Sequence, residues 1–158
     1  MADKREFEAK FWESIRSDMT VMVSVSGIDS RPMTAQFDGD RKTIYFFTAS
    51  DTELAGKLTR ARKATLVYAS KKHDLFATVH GTLRIDGDRG TIDRLWNRFV
   101  ATWFEKGKDD PKLRLLRFEP ADAQIWLDAS SLVAGVKMFL GLGDPKQDYK
   151  DSVAKMPL

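Results

Sequence analysis

The chain has 158 residues, of which 42% are hydrophobic and 31% charged, and this is the composition of one soluble globular domain spanning residues 1–158. It contains no cysteine, which excludes thiol nucleophiles, cysteine-ligated zinc and disulfides and favours a cytoplasmic location. The 26 basic and 23 acidic side chains are scattered, so the net charge of +3 does not indicate nucleic-acid binding. We find no secretory signal and no run of the roughly 20 apolar residues that span a membrane, so we expect no membrane contact.

The first third of the chain predicts one helix and three strands. Apolar side chains recur at helical spacing over residues 5–17, within an N-terminal helical segment 1–18. The predicted strands are 19–25, 32–37 and 43–48. Because the turn dipeptide Asp38-Gly39 joins the last two, we expect these strands to form an antiparallel meander.

The rest of the chain predicts further strands interrupted by helices. The predicted helices are 53–62, a helix capped by Thr91 and stopped by Gly107, and 131–140. The predicted strands are 64–69, 75–85, 113–118 and 123–127. Residues 141–158 form a polar tail that we expect to be irregular or bound to a partner. Six or seven antiparallel strands with short helices favour a closed or partly closed barrel over a parallel sheet.

The titratable residues do not form a conventional catalytic or metal-binding motif. His73 and His80 lie at either side of a predicted strand, seven residues apart, and are interpreted as a turn residue and a strand residue. The adjacent carboxylates Asp109 and Asp110 precede a proline, which is typical of a turn. We therefore assign no catalytic residue and no metal ligand from these patterns.

One pair of neighbouring strands carries a combination of side chains that suits a ligand. The segment SRPMTAQ contains Arg31, Met33 and Thr34, and the segment FFTAS contains Phe47, Thr48 and Ser50. We expect the two segments to be adjacent because a short hairpin joins them. A cation, hydroxyls and backbone amides beside flat apolar side chains suit a ligand with a phosphate at one end and an aromatic ring at the other.

The order and spacing of several segments resemble a known family. They are RPM, IYFFT, HDLFATVHGTL, IDRLWNRFVATWFEKGKDDPKLRLLR and AQIWL. Together they resemble the general stress protein branch of the pyridoxamine 5'-phosphate oxidase-like flavin-binding split barrels. The resemblance implies a mainly β, α+β fold: a six-stranded antiparallel split barrel with short flanking helices. It also implies a homodimer that holds FMN in two equivalent clefts at the subunit interface.

The resemblance also implies roles for individual positions. Four consecutive residues would line the flavin and reach toward its phosphate: Arg31, Pro32, Met33 and Thr34. Phe47 and Thr48 would meet the isoalloxazine ring, while Ser50 and Thr52 fall in the phosphate-binding turn. Trp103 and Trp126 would lie near the cofactor, from the same or the other subunit.

The chain departs from the family pattern where relatives place a cation that grips the phosphate. Glu53 and Leu54 occupy that place, and a carboxylate repels a phosphate dianion. Lys57 is the nearest substitute, one helical turn beyond Leu54, and the further candidates are Arg60, Lys71 and Lys72. A late Arg-and-His motif for vitamin B6 recognition is missing after Trp126, so pyridoxamine 5'-phosphate oxidase activity is not expected.

These expectations leave several functions open. The first is a flavin-dependent oxidoreductase that transfers a hydride or electrons through the flavin N5 atom. The alternatives are a non-catalytic flavin carrier or redox sensor in stress response, and a cofactor-free dimer that contacts nucleic acid. The cofactor is expected to be FMN, with FAD, a deazaflavin or haem left as other possibilities.

Overall fold

The computed structural model describes residues 3–128 and 152–158 of the chain. The helices are α1 (Lys4–Asp18), α2 (Glu53–Lys57), α3 (Arg89–Leu95) and α4 (Arg98–Ala101). The strands are β1 (Thr20–Val25), β2 (Arg31–Thr34), β3 (Ile44–Ala49), β4 (Arg62–Ala69), β5 (Leu75–Asp86), β6 (Leu113–Leu127) and β7 (Val153–Pro157). The fold is α+β with an antiparallel sheet, as predicted, and the helix predicted over 131–140 lies outside the described residues. Among these helices, none combines the length and apolarity needed to cross a membrane.

Helix α1 forms where the sequence predicts it. The Asp3 side chain accepts a hydrogen bond from the backbone N–H of Arg5, at 3.0 Å, and caps the first turn. The helix ends at Met19, which adopts a positive φ of 48° and donates its N–H to the carbonyl of Ile15. The predicted apolar stripe is buried, and its members are Phe7, Phe11, Trp12 and Ile15. This stripe packs α1 against the sheet.

The strands follow the order β2-β1-β4-β5-β6-β3, and β7 also pairs with β6. Strand β6 is 15 residues long and runs continuously through the two strands predicted there. One edge of β6 pairs with β5, and the other edge pairs with β3 along its first half and with β7 along its second half. An isolated bridge between Gln36 and Tyr45 joins the two ends of the sheet and closes it into a barrel.

Two predictions about this sheet are wrong. The expected meander forms only between β1 and β2, because β3 pairs along its whole length with β6 and meets the residues after β2 only at the Gln36–Tyr45 bridge. The C-terminal tail is not irregular at residues 153–157, which form β7 and raise the strand count from six to seven. Ala154 and Met156 of β7 are buried in the main core, and this burial explains why a polar tail ends in a strand.

The main core lies inside the barrel and beneath α1. The inward positions of the strands alternate with outward ones, so Val21, Val23 and Val25 of β1 are buried while Met22 is exposed. Leu54 of α2 and Leu58 just after it also belong to this core and close one end of the barrel. Two smaller clusters pack α3 and α4 onto the outer face of β3 and β6.

The helices after β3 and β5 are shorter than predicted. Helix α2 ends at Lys57 instead of continuing to residue 62, because Leu58 leaves the helical conformation with φ −100° and ψ 35°. The helix predicted to run from Thr91 to Gly107 begins at Arg89 with Asp88 as its cap. It breaks at Asn97, whose side-chain oxygen accepts the N–H groups of the next turn and starts α4.

Candidate functional site

Strands β2 and β3 diverge beyond the Gln36–Tyr45 bridge and leave an opening in the barrel wall, here called the split. Tyr45 exchanges both backbone hydrogen bonds with Gln36, at 2.8 and 2.9 Å. Alternate residues of a strand direct their backbone groups to the same edge, so the N–H and C=O of Phe47 also face the split. Pro32 lies on the opposite edge, where its missing N–H costs no ladder hydrogen bond.

At the closed end of the split, polar side chains make hydrogen bonds to residues of α3 and of the N-terminal cap of α4. Arg94 of α3 donates two hydrogen bonds to Asp38, from Nε to Oδ1 at 3.1 Å and from Nη2 to Oδ2 at 3.0 Å. The hydrogen bond from Arg94 is the main cause that lowers the pKa of Asp38 below its ordinary value. Asn97 Nδ2 also donates to Gln36 Oε1 at 3.3 Å. These contacts fix the hairpin at the bridge, so the split opens only toward the other end.

The turn after β3 brings three predicted hydroxyl residues together. Thr52 caps α2: its Oγ1 accepts the N–H of Ala55 at 3.2 Å and donates to the carbonyl of Ala49 at 2.8 Å. Thr48 Oγ1 lies 3.3 Å from Thr52 Oγ1. Ser50 donates its backbone N–H to Lys112 O at 2.7 Å, whereas its hydroxyl has no hydrogen-bond partner within the described part of the chain. Ser50 is therefore the hydroxyl of the three that is free to meet a ligand.

Two predicted cations, Arg31 at the start of β2 and Lys57 at the end of α2, have no ion-pair partner among the described residues. Counting along the register from the Gln36–Tyr45 bridge places Arg31 level with Ser50. Arg31 is half-buried and Lys57 is exposed, and neither makes an ion pair with any residue in 3–128 or 152–158. By contrast, Lys112 in the same region lies 3.3 Å from Asp51. Arg31 and Lys57 therefore keep their charge available to an anion.

The departure at Glu53 and Leu54 has a structural explanation. The Glu53 side chain is exposed, whereas Leu54 is 0% exposed and is part of the main core. A lysine at position 54 would have to leave this apolar environment, because burying an unpaired ammonium is costly. The chain uses this position to close the barrel end instead of to hold a charge.

The aromatic residues predicted near the cofactor do not converge within one subunit. Phe47 and Thr48 point to opposite faces of β3: Thr48 is buried on the inner side, and Phe47 packs edge-to-face on Trp96, with ring centroids 6.1 Å apart. Trp103 lies just after α4, before the connection to β6, and is 82% exposed, whereas Trp126 is half-buried near the C-terminal end of β6. The two tryptophans therefore lie on separate elements, Trp103 next to α4 and Trp126 near the end of the 15-residue strand β6.

The outer surface of the sheet carries an apolar patch that the sequence interpretation missed. Met22, Val67 and Phe76 are 39%, 46% and 39% exposed, although they lie on strands. The register places Met22 directly opposite both Pro32 and Val67, and Phe76 directly opposite Trp126. We call these five residues the outer apolar face. Apolar residues at both the inward and the outward positions of β1 and β4 were the available signal.

Two further exposed aromatic residues and the two histidines lie elsewhere on the surface. Phe99 is 84% exposed and lies one helical turn before Trp103. His73 adopts a positive φ of 56° in the turn before β5, as its interpretation as a turn residue requires, and stacks on Phe76 at 6.2 Å. His80 Nδ1 lies 3.1 Å from Asp122 Oδ1 on the exposed side of the sheet. Neither histidine lies at the split.

Comparison with known proteins agrees with this fold. The sequence pattern of the family described as "Pyridoxamine 5'-phosphate oxidase like" matches residues 6–142. The chain belongs to this family. The match ends before β7, so the strand that completes the sheet lies outside it.

The relatives of this chain in the family include general stress proteins. A protein of the general stress family from Xanthomonas campestris pv. campestris is 50% identical, with a TM-score of 0.78 over 84% of this chain and 94% of its own. The general stress FMN/FAD binding protein from Xanthomonas citri is 47% identical, with a TM-score of 0.77 over 82% of this chain and 94% of its own. General stress protein 26 of Bacillus subtilis (strain 168) is 30% identical over 99 residues, which are 61% of this chain and 69% of the relative.

Proposed function

We propose that the chain is an FMN-binding protein of the general stress type that holds the flavin in the split as a homodimer. The observation that carries this proposal is the opening between β2 and β3, with unpaired backbone groups along its edges and a free cation and hydroxyl at its open end. The 47% identical relative from Xanthomonas citri is an FMN/FAD binding protein, which supports a flavin as the ligand. FMN has a charged phosphate at one end and an apolar ring at the other, and the split likewise has charged groups at one end and apolar groups along it.

Arg31 is the residue that would hold the FMN phosphate. Its guanidinium has no ion-pair partner among the described residues, and its planar donors match phosphate oxygens. The Ser50 hydroxyl lies at the same level and would donate to the same group. Lys57 would add a more distant charge that offsets the exposed carboxylate of Glu53. Thr52 would contribute indirectly, because its hydroxyl is already used to cap α2.

The outer apolar face would be the interface between two copies of the chain. Contiguous apolar residues on a sheet surface are typical of protein contacts, and a two-fold axis would cover this face with the same face of the partner. Trp126 lies in this face, at the opposite end of β6 from the helical layer that carries Trp103. A dimer would therefore allow one subunit to place an aromatic side chain over the flavin of the other.

When bound, FMN would supply hydride or electron transfer, and the chain would orient the flavin and exclude water. This makes an oxidoreductase the first functional candidate, without pyridoxamine 5'-phosphate oxidase activity. A flavin carrier or redox sensor is the second. The residues that border the split, 31–34 and 47–52, contain no histidine, and their one carboxylate, Asp51, is paired with Lys112. The lack of a free acid or base there favours the carrier or sensor. We place either activity in the cytoplasm.

The flavin proposal is tested by spectroscopy on the purified full chain. We expect flavin absorption to elute with the protein in gel filtration. We expect Arg31→Ala to weaken the affinity for FMN by about 10- to 100-fold, because a hydrogen bond to a charged group contributes about 1.5–3 kcal/mol. The affinity for riboflavin, which lacks the phosphate, should change less than about threefold in the same variant. Arg5→Ala is the matched control, since it removes an exposed arginine from α1.

Two results would contradict this proposal. A colourless protein that does not quench the fluorescence of added FMN would rule out the flavin. Equal losses of FMN and riboflavin affinity in Arg31→Ala would rule out the phosphate role of Arg31. Turnover with nicotinamide nucleotides distinguishes the oxidoreductase from the carrier.

The dimer is tested separately by light scattering. We expect the wild-type chain to have the mass of two copies and Val67→Lys to have the mass of one, because lysine would place a charge in an apolar interface. Ala9→Lys adds the same charge to an exposed position of α1 and should stay dimeric. A Val67→Lys variant that remains a dimer would place the interface elsewhere.

A further inference from the structure

A basic cleft lies outside the split, where the connection from α2 to β4 passes the turn after β1. It has a volume of about 420 Å³. Its lining residues are Val25, Ser26, Arg60, Ala61, Arg62 and Lys63. Arg60, a more distant sequence-based candidate for the flavin phosphate, lines this cleft, whereas none of the residues used in the proposed flavin site or dimer interface does.

Arg62 is the residue of the cleft whose hydrogen-bonding capacity is unused. It is the first residue of β4, and its register partner Leu83 is fully buried, so its stem lies against the barrel interior. Its Nε atom is inaccessible to solvent and has no hydrogen-bond partner in residues 3–128 and 152–158. A buried N–H on a charged group is costly unless an acceptor satisfies it. Arg62 therefore lines the cleft with a guanidinium that no acceptor of the described residues satisfies at Nε.

The charge of the cleft has one sign. Three of its six lining residues are cations, and none is a carboxylate. Arg60, Arg62 and Lys63 make no ion pair within the part of the chain that the structure describes, whereas surface cations such as Arg89 and Lys112 are paired. The Ser26 hydroxyl adds a free donor on the same wall. Three cations with unsatisfied donors favour an anion that carries more than one negative charge.

We propose that this cleft binds a small molecule carrying a phosphate or diphosphate group, at a site separate from the flavin. The two Nη atoms of the planar Arg62 guanidinium present donors in the paired arrangement that matches two phosphate oxygens. Arg60 and Lys63 flank the group and neutralise its remaining charge. Clefts of about 300–1,000 Å³ accommodate whole small molecules, so the site has room for a sugar or base attached to the phosphate.

The proposal is tested by isothermal titration calorimetry of the full chain with pyrophosphate, in both the FMN-free and the FMN-loaded protein. We expect one binding site in both forms, and we expect Arg62→Gln to weaken pyrophosphate by about tenfold or more. The double variant Arg60→Gln, Lys63→Gln should weaken it similarly. Both of its positions are exposed, so this variant decides the test if Arg62→Gln does not fold. Arg5→Gln removes the same charge from α1 and should leave the affinity within about twofold of wild type.

The outcomes separate this site from the flavin site. Pyrophosphate that does not bind, or that binds the cleft variants as tightly as the wild type, would overturn the proposal. Competition between FMN and pyrophosphate, or loss of FMN affinity in Arg62→Gln, would also overturn it, because the cleft would then be part of the flavin site. Binding of inorganic phosphate supports a free anion as the ligand. Binding of both NADPH and NADH supports a nucleotide diphosphate as the ligand, and binding of NADPH alone supports a ligand with a phosphate monoester. Because pyrophosphate is also measured without FMN, the test does not depend on flavin binding.

Discussion

Replacing Leu54 tests how the chain accommodates the loss of the family's phosphate-binding cation. Leu54 is 0% exposed and Leu58 is 2% exposed, and both belong to the main core. Helix α2 has only five residues and is too short to be stable by itself, so these two side chains hold it against the barrel. Truncation of Leu54 should therefore loosen the barrel end and the turn that carries Ser50.

The expected size of the effect follows from this burial. Leu→Ala substitutions in a core cost about 2–5 kcal/mol, and each kcal/mol lowers the melting temperature by about 2–4 °C in a domain of this length. We expect Leu54→Ala to melt about 4–20 °C below the wild type, measured by circular dichroism. The exposed neighbour Lys57 provides the control, and Lys57→Ala should stay within about 0.5 kcal/mol of the wild type.

Leu54→Lys completes the test because it introduces the cation that the family resemblance implies near this position. The ammonium would start from a buried apolar position, so we expect a loss of stability at least as large as for Leu54→Ala and no gain of FMN over riboflavin affinity. A variant that melts with the wild type and binds FMN more tightly would show that the side chain at position 54 reaches the phosphate. That result would refute the assignment of Leu54 to the core.

Two further predictions concern packing and pH. Gly81 lies at a bulge of β5, where an added Cβ would lie 2.8 Å from Phe118 Cζ and would overlap the carbonyl oxygen of Glu119. Gly81→Ala should therefore cost about 1–3 kcal/mol in thermal unfolding, whereas Gly87→Ala, which has open space, should cost little; equal melting temperatures would contradict the clash. Burial raises the pKa of Tyr68 from 10.0 to about 12, so the folded protein holds the phenolic proton more tightly than the unfolded chain. The stability that this proton contributes is present below pH 10 and is lost as the pH rises toward 12, so the stability difference between wild type and Tyr68→Phe should shrink over that range. A difference that is constant from pH 9 to about pH 12 would contradict this reasoning.

Local patterns predicted most of the elements because each pattern reports contacts within one segment. The aromatic stripe of α1 and the alternation in β1 and β5 place these elements within a few residues of their observed bounds. The points at which a predicted helix is interrupted were harder to predict. Asn97 interrupts an apolar helical face because its side chain competes for backbone N–H groups, and the apolar pattern continues across the break.

The candidate site was only partly predictable. The residue types of the split, from Arg31 to Thr52, stand out in the sequence, but the hairpin predicted a pairing of β2 with β3 that the structure limits to the Gln36–Tyr45 bridge. The sequence did not indicate that the hydroxyl of Thr52 is used by a helix cap, or that Arg62 has an unsatisfied buried N–H. Both facts depend on neighbours brought together by loops, and loop geometry has no periodic pattern.

The sequence by itself determined the class of the fold and the family, because alternation, turn dipeptides and segment order are local properties. The tertiary structure decided which strands pair. Strand β3 lies beside β6 instead of completing a meander with β2, and the pairing of β7 with β6 depends on Ala154 and Met156 reaching the core. It also decided that Leu54 serves the core and that Arg31 has no ion-pair partner among the described residues. These outcomes depend on burial and on unpaired charges, which are set by the distances between segments remote in sequence.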